Sequence, residues 1–330
     1  MSSPTIIGAP ETASALAYPP LIDALAAGFA AGCQAPLRHH HAIDRARQPQ
    51  ATLLLMPAWS HDGEADSILG VKIVTVYPGN AAKGLPGLAS TYVLYDGSTG
   101  QQLAIIDGNT ITARRTVATA ALGARFLSRE NSRSLLLLGS GRVASLVPEA
   151  MRAVRPIDKV AVWDIDGVGA QRLAGNLTAN GFQATVVDNL EHAVGEADII
   201  SAATLSTRPL LPGDWVRPGT HVDLIGSFTP TMREADDRLM AAAMIYVDTS
   251  DALQESGDLI QPINAGVIAA SDVQATLAEL CNGSAFGRQS AEQTTLFKAV
   301  GSSLADLVAA RQVYRVLMAP EQQMRLNTAS

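Results

Sequence analysis

Gly139-Ser140-Gly141-Arg142-Val143-Ala144 follows the apolar run Ser134 to Leu138 and opens a stretch of helical spacing from about 143 to 154. The G-x-G-x-x-A spacing has a chemical reading. The first glycine permits a tight turn, the second lets a diphosphate approach the backbone, and the small third residue lets helix pack on strand. Amides at the helix start then face the anion with a favourable dipole. Asp164 ends the next apolar run, "KVAVWDID". A carboxylate there either hydrogen-bonds both ribose hydroxyls and repels a 2′-phosphate, or merely caps a strand end. With Asp166 adding negative charge nearby, the expectation is a dinucleotide site that prefers NADH over NADPH. Arg142, inside the loop, either helps hold a 2′-phosphate or sits in solvent.

A second residue draws attention in "GVKIVTVYPGN", 70 to 80. The β-branched residues predict a strand, and alternation puts Lys72 on one face with Val74 and Val76. A buried ammonium needs a partner, a cavity or a lost proton. From the strand alone, Lys72 either snorkels to water at a strand end, pairs with an acid, or lines a ligand cavity.

Two kinds of element must position these groups. Up to about residue 115 the chain carries strand-like runs: "ATLLLMPAW", "GVKIVTVY", "STYVLYD" and "QLAIIDG". Turn signals at Asp62-Gly63, Pro78-Gly79-Asn80 and Asp96-Gly97 punctuate them. Successive strands without helices predict a mostly antiparallel or mixed sheet. Helical spacing begins at Arg114. Beyond Ser134, short apolar runs alternate with helical patterns over 143–154, 169–180 and 191–196, the mark of a doubly wound parallel sheet. The last stretch, 290 to 318, reads as one long helical pattern broken only at Gly301.

The bulk numbers agree. A chain of 330 residues exceeds one usual core, so two domains are expected. Apolar residues at 47% and charged residues at 17% suit a compact enzyme rather than a disordered chain. A net charge of -7, without basic runs, argues against a nucleic-acid partner. Cys33 and Cys281 lack metal or redox spacing and are expected as free thiols. Neither a signal-peptide pattern nor a membrane-length apolar run is present, so a cytoplasmic protein with no membrane partner is expected. His39, His40 and His41 alternate faces of a strand without acidic or thiol partners at ligand spacing, so no metal is expected. Asp223 and Asp248 follow strand-like runs, where they either serve a site or cap turns.

Lys72, "PGNAAKGLPGLASTYVLYD", "LAIIDGNTITARRTVATAALGARFL", the glycine loop, "ESGDL" and "TLFKAVG" occur in this order along nearly the whole chain. Together they resemble the ornithine cyclodeaminase/μ-crystallin family. The resemblance implies a Rossmann-type doubly wound α/β domain over 116–304. It also implies a mixed α+β substrate and dimerisation domain over 1–115 and 305–330, and a homodimer. It implies that Lys72 is catalytic, that Arg38 holds a substrate carboxylate, and that Arg115 lies beside substrate and nicotinamide. Thr116, Val143, Thr204, Leu224 and Gly301 fall in segments that line the cofactor, with Gly301 near the substrate. Glu255 matches a ligand-facing acid, although as a bare residue it reads as a loop carboxylate.

One departure bears on activity. Ornithine cyclodeaminases carry G-G-D-x-P-G-K-T-E, whose aspartate handles the amine of ornithine. Here the stretch is "GSFTPTMRE", with Phe228 in place of that aspartate and Met232 in place of the lysine. A phenyl ring accepts no proton, but its apolar wall suits the methylenes of a cyclic imine. The stretches "LRHHHAI", "TLLLMPAW" and "GVKIVTVYPGN" look especially like the Δ1-pyrroline-2-carboxylate reductases of the family, which act in hydroxyproline catabolism. The expected activity is therefore NADH- or NADPH-dependent reduction of Δ1-pyrroline-2-carboxylate, or its piperideine homologue, to L-proline or L-pipecolate. An ornithine cyclodeaminase using bound NAD, and a μ-crystallin-like binding protein, are the alternatives.

Overall fold

A computed structural model describes residues 3–61, 63 and 66–328, so Asp62 of the expected turn lies outside the described residues. The chain divides into two compact units, 1–115 with 302–330, and 116–301.

The first unit is built on a six-stranded mixed sheet in the order β1-β6-β5-β4-β3-β2. Its strands are β1 (Thr5–Ile7), β2 (His39–Ile43), β3 (Ala51–Trp59), β4 (Ile68–Val76), β5 (Leu88–Asp96) and β6 (Gln102–Asp107). Only β1 pairs in parallel, on β6; the rest form an antiparallel meander. Register lines up Met56, Lys72, Tyr92 and Ile106 across β3, β4, β5 and β6. Alternation sorts β4 as its sequence demands: Ile68, Gly70, Lys72 and Val74 are buried, while Ile73 on the opposite face is exposed. The long helix Ser303–Thr328 packs over β3 and β4, with the helices Ala9–Ala15 and Tyr18–Ala31 against it. Gly28 is needed there, because a Cβ would collide with Val308.

The second unit carries an eight-stranded sheet. Its strands are β7 (Ser134–Leu138), β8 (Lys159–Trp163), β9 (Gln183–Val186), β10 (Ile199–Ala202), β11 (His221–Leu224), β12 (Met244–Val247), β13 (Val273–Thr276) and β14 (Thr295–Lys298). All pairs are parallel, in the order β13-β12-β14-β11-β10-β7-β8-β9. This is the doubly wound α/β architecture. Strand order reverses between β7 and β10, and such a switch point is where open α/β sheets take ligands beyond their strand ends.

Three elements differ from the sequence reading. Thr295–Lys298 is a strand in the middle of the sheet, not part of the terminal helix. All four of its residues are buried; a strand covered on both faces shows no alternation and is easily read as helix. The helix ending at Leu127 starts at Gly108, not near Arg114. Asp107 Oδ1 accepts the Thr110 amide at 2.7 Å and so caps that start. The helix after the glycine loop is a 3-10 turn, Ala144–Leu146, followed by only Val147–Arg152. Pro148 has no amide to return to Ala144, which favours the tighter first turn.

Candidate active site

In the first unit, Lys72 is 2% exposed and its Nζ lies 2.7 Å from Asp306 Oδ2. Arg115 Nε donates to the other oxygen, Asp306 Oδ1, also at 2.7 Å. The aspartate is fully buried on the long terminal helix, so one carboxylate bridges two cations. Lys72 does not snorkel; the packed helix denies its ammonium a path to water. Burial is the largest influence on that ammonium and pulls its pKa down to about 8; Asp306 opposes this, while Arg115 and Arg38 add to it. Burial pushes the Asp306 carboxyl up, but Arg115 and Lys72 outweigh it and hold the group below the ordinary carboxylate value. Asp306 is therefore ionised, and the three side chains carry a net positive charge that Arg38 increases. Such a site suits a small carboxylate, which a guanidinium can grip through paired hydrogen bonds. A lysine near 8 is about nine-tenths protonated at pH 7 and can also release its proton reversibly.

Tyr92 pairs with Lys72 in register and is fully buried. Its ring leans over Gly70, where a Cβ would collide with the phenol oxygen. Burial, then Asp306 and Cys33, raise its pKa well above the ordinary phenol value, so it stays neutral. Arg38 stands just before β2, half-buried. The histidines of β2 lie exposed on the edge strand, with the rings of His39 and His41 edge-to-face at 6.3 Å. Among the described residues no cluster of three or more His, Cys, Asp or Glu could hold a metal.

In the second unit, Gly139 has φ +111, and a Cβ on it would press within 2.9 Å of the Ala203 carbonyl. Its glycine is required by the fold. Gly141 is different: a Cβ there would meet nothing within 4 Å. The protein itself does not need that glycine, whereas a diphosphate laid on the loop does. Ala144 is buried against the sheet, and the amides of Gly141, Arg142 and Val143 precede the first helical turn, where intrahelical acceptors are lacking. The loop therefore fits a dinucleotide diphosphate. Arg142 is exposed and Val143 half-buried.

Asp164 follows β8 as expected, but its carboxylate is already engaged. Oδ2 accepts from Ser140 N at 2.6 Å and Ser140 Oγ at 2.7 Å, and Oδ1 accepts from Asp166 N at 2.8 Å. The strand-end role is thus realised as a brace on the glycine loop, with acceptor capacity remaining for a ribose hydroxyl. Thr204 follows β10. Phe228, 48% exposed, lies in the loop after β11. Gly301 has φ +83, and its amide donates to Asp248 Oδ2 at 2.6 Å; Asp248 is thus a turn cap. Thr116 lies on the helix that starts at Gly108 and is half-buried. Leu224 ends β11, and its side chain is fully buried in the sheet core with Leu138, Ala202 and Val300. Only its backbone is left to face a cofactor.

Sequence reasoning missed Asp306. Its signal was available: buried Asp306, Ala310 and Val313 share one stripe of the terminal helix, so an acid interrupts an apolar face.

The model of the ornithine cyclodeaminase/mu-crystallin family matches residues 12–320. The chain belongs to that family. It is 40% identical to a Δ1-pyrroline-2-carboxylate reductase of Paracoccus denitrificans over 290 residues, 85% of this chain and 90% of the relative. It is 35% identical to the ketimine reductase mu-crystallin of Rattus norvegicus, covering 91% of this chain and 92% of the relative. The structure of Thermococcus litoralis Δ1-pyrroline-2-carboxylate reductase in complex with NADH and L-proline superposes with a TM-score of 0.88. That match has 30% identity and covers 94% of this chain and 96% of the other. For this family member, the cationic group around Asp306 and the open glycine loop are therefore the two places to seek its chemistry.

Proposed function

We propose that this protein reduces a cyclic ketimine carboxylate, Δ1-pyrroline-2-carboxylate or its six-membered homologue, with NADH preferred over NADPH, giving L-proline or L-pipecolate. Phe228 carries the choice within the family. It presents an apolar, half-exposed ring where an ornithine-cyclising enzyme needs a carboxylate. A cyclic imine has methylenes and no distal ammonium, so an apolar wall is suitable and a carboxylate is unnecessary.

When bound, the reduced nicotinamide supplies the hydride. The remaining work belongs to side chains of this chain. Arg38 and Arg115 hold the substrate carboxylate and fix the carbon that bears it. Lys72 keeps the imine nitrogen protonated, because an iminium accepts hydride far more readily than a neutral imine. Asp306 keeps Lys72 charged enough to do so despite its burial. Leu224 takes part through its backbone, and Asp164 favours NADH through its charge. A cytoplasmic homodimer consuming a cyclic imine formed in hydroxyproline catabolism is the setting this reading implies.

The test is NADH oxidation with Δ1-pyrroline-2-carboxylate, Δ1-piperideine-2-carboxylate, and pyruvate plus amines in parallel, beside ammonia release from L-ornithine. Stoichiometric NADH loss with a cyclic imine supports the proposal. NADH binding without reduction of any imine would instead favour a binding protein.

A further inference from the structure

Among the described residues, the second unit fully buries Asp223, Glu234, Asp258 and Lys298, ionisable side chains that the reduction does not use. Burying so many charges is costly unless each is paired or hydrogen-bonded, so the pattern of their bonds indicates what they hold. Glu234 ends the "GSFTPTMRE" stretch and bonds outward in three directions. Its Oε1 accepts from the Thr204 amide at 2.7 Å and the Thr204 hydroxyl at 2.8 Å. Its Oε2 accepts from the Gly226 amide at 2.8 Å. Thr204 belongs to the loop after β10, and Gly226 opens the loop after β11 that presents Phe228. One carboxylate therefore ties together the bases of both loops.

The tie leaves no slack. A Cβ on Gly226 would collide with the Thr204 carbonyl and with Glu234 itself. Asp258 anchors Glu234 in turn, its Oδ1 accepting from the amides of Glu234 at 2.8 Å and Ala235 at 3.1 Å. Lys298, at the end of β14, places Nζ 3.4 Å from Asp258 Oδ2 and is the cation buried with these acids. Burial raises the Glu234 pKa, and Lys298 works against that rise. All three donors to Glu234 match an ionised carboxylate.

We propose that Glu234, with Asp258 and Lys298 behind it, is a positioning residue that holds the Thr204 and Phe228 loops in the geometry that binds the dinucleotide and meets the imine. This rests on the dinucleotide reading of the second unit. Glutamine has one acceptor oxygen, so Glu234→Gln cannot serve both Thr204 and Gly226 and must turn an amide N–H toward one of them.

The experiment combines NADH titration by fluorescence, steady-state kinetics and amide hydrogen exchange on wild type, Glu234→Gln, Thr204→Val, Thr204→Ser and the Glu234→Gln/Thr204→Val pair. The expected result is a tenfold or larger rise in the NADH dissociation constant and in KM for the imine with Glu234→Gln, with kcat reduced less. Thr204→Ser keeps affinity and Thr204→Val loses it. The double variant is no worse than Glu234→Gln alone, since both break one connection. Exchange quickens in 203–206 and 226–234 but not in 139–143. An NADH dissociation constant and imine KM within twofold of wild type, with only a lower Tm, would overturn the proposal, as would additive losses. If the wild type itself fails to bind NADH, the dinucleotide reading fails instead. Exchange then decides the tie alone, and unchanged protection of both loops in Glu234→Gln overturns it.

Discussion

Lys72 Nζ lies 2.7 Å from Asp306 Oδ2, joining a strand of the first sheet to a helix more than two hundred residues later in the chain. Removing one partner of a buried pair leaves the other uncompensated, typically costing about 3–5 kcal/mol. Asp306→Asn should therefore lower Tm. It should also reduce kcat/KM by about a hundredfold or more, roughly 2.7 kcal/mol of barrier. Thermal denaturation and imine-reduction kinetics check both. A variant within fivefold of wild type in kcat/KM would show that the carboxylate serves the fold alone.

Under the proposed reduction, Lys72 sets the alkaline limb. Burial brings its pKa to about 8, and that reading requires the protonated form. The kcat/KM for imine reduction should thus fall as pH rises through about 8. Lys72→Ala should abolish that limb with nearly all turnover, while NADH binding survives. Activity retained within about tenfold, 1.4 kcal/mol, would make Lys72 a structural ion-pair partner only.

Asp164→Ser should narrow or reverse the preference for NADH over NADPH. Because Asp164 also accepts from Ser140 N and Oγ, the variant should bind both cofactors less tightly. Comparing kcat/KM with the two cofactors separates these effects. Should the wild type already use NADPH tenfold better, Arg142 rather than Asp164 governs the choice.

Phe228 predicts the fate of ornithine. Setting an ammonium against a phenyl ring without a countercharge costs several kcal/mol, roughly 2–7 for an unpaired polar group and more for a charge. Cation–π attraction returns only about 0.5–2 kcal/mol. Ammonia and proline formation from L-ornithine with catalytic NAD should therefore be negligible beside NADH consumption with the cyclic imine. Ammonia release faster than imine reduction would refute the reductase assignment.

Two buried groups in the second unit give opposing pH dependences. Burial pushes His221 down to about 3 and Asp223 up to about 7. Below its ordinary value of 6.5, His221 binds a proton only when unfolded, so stability falls as pH drops from there toward 3. Asp223 binds its proton more readily when folded, so stability falls as pH rises from 3.8 to 7. Asp223→Asn removes the second effect. Its stability advantage over wild type should grow from near zero at about pH 4 to a plateau above about pH 7, on the order of 4 kcal/mol at most. Denaturation series over that range give the measurement; a difference independent of pH would contradict the raised Asp223 value.

The α/β class, the glycine loop and the family were legible in the sequence because each depends on local order. Gly139, Gly141 and Ala144 act through spacing within one turn, and β4 shows its faces by alternation over nine residues. Asp164 could be placed at a strand end, yet its engagement with Ser140 could not be read there. Thr295–Lys298 was misread because a strand buried on both faces loses its period. The connection of Lys72 and Arg115 through Asp306 exists only after folding, since a helix and a sheet distant in sequence must close before two cations can share one carboxylate. Glu234 likewise was visible as one letter of a motif. That it grips Thr204 and Gly226 was decided by the packing of β10 and β11 side by side, and no sequence period encodes that contact.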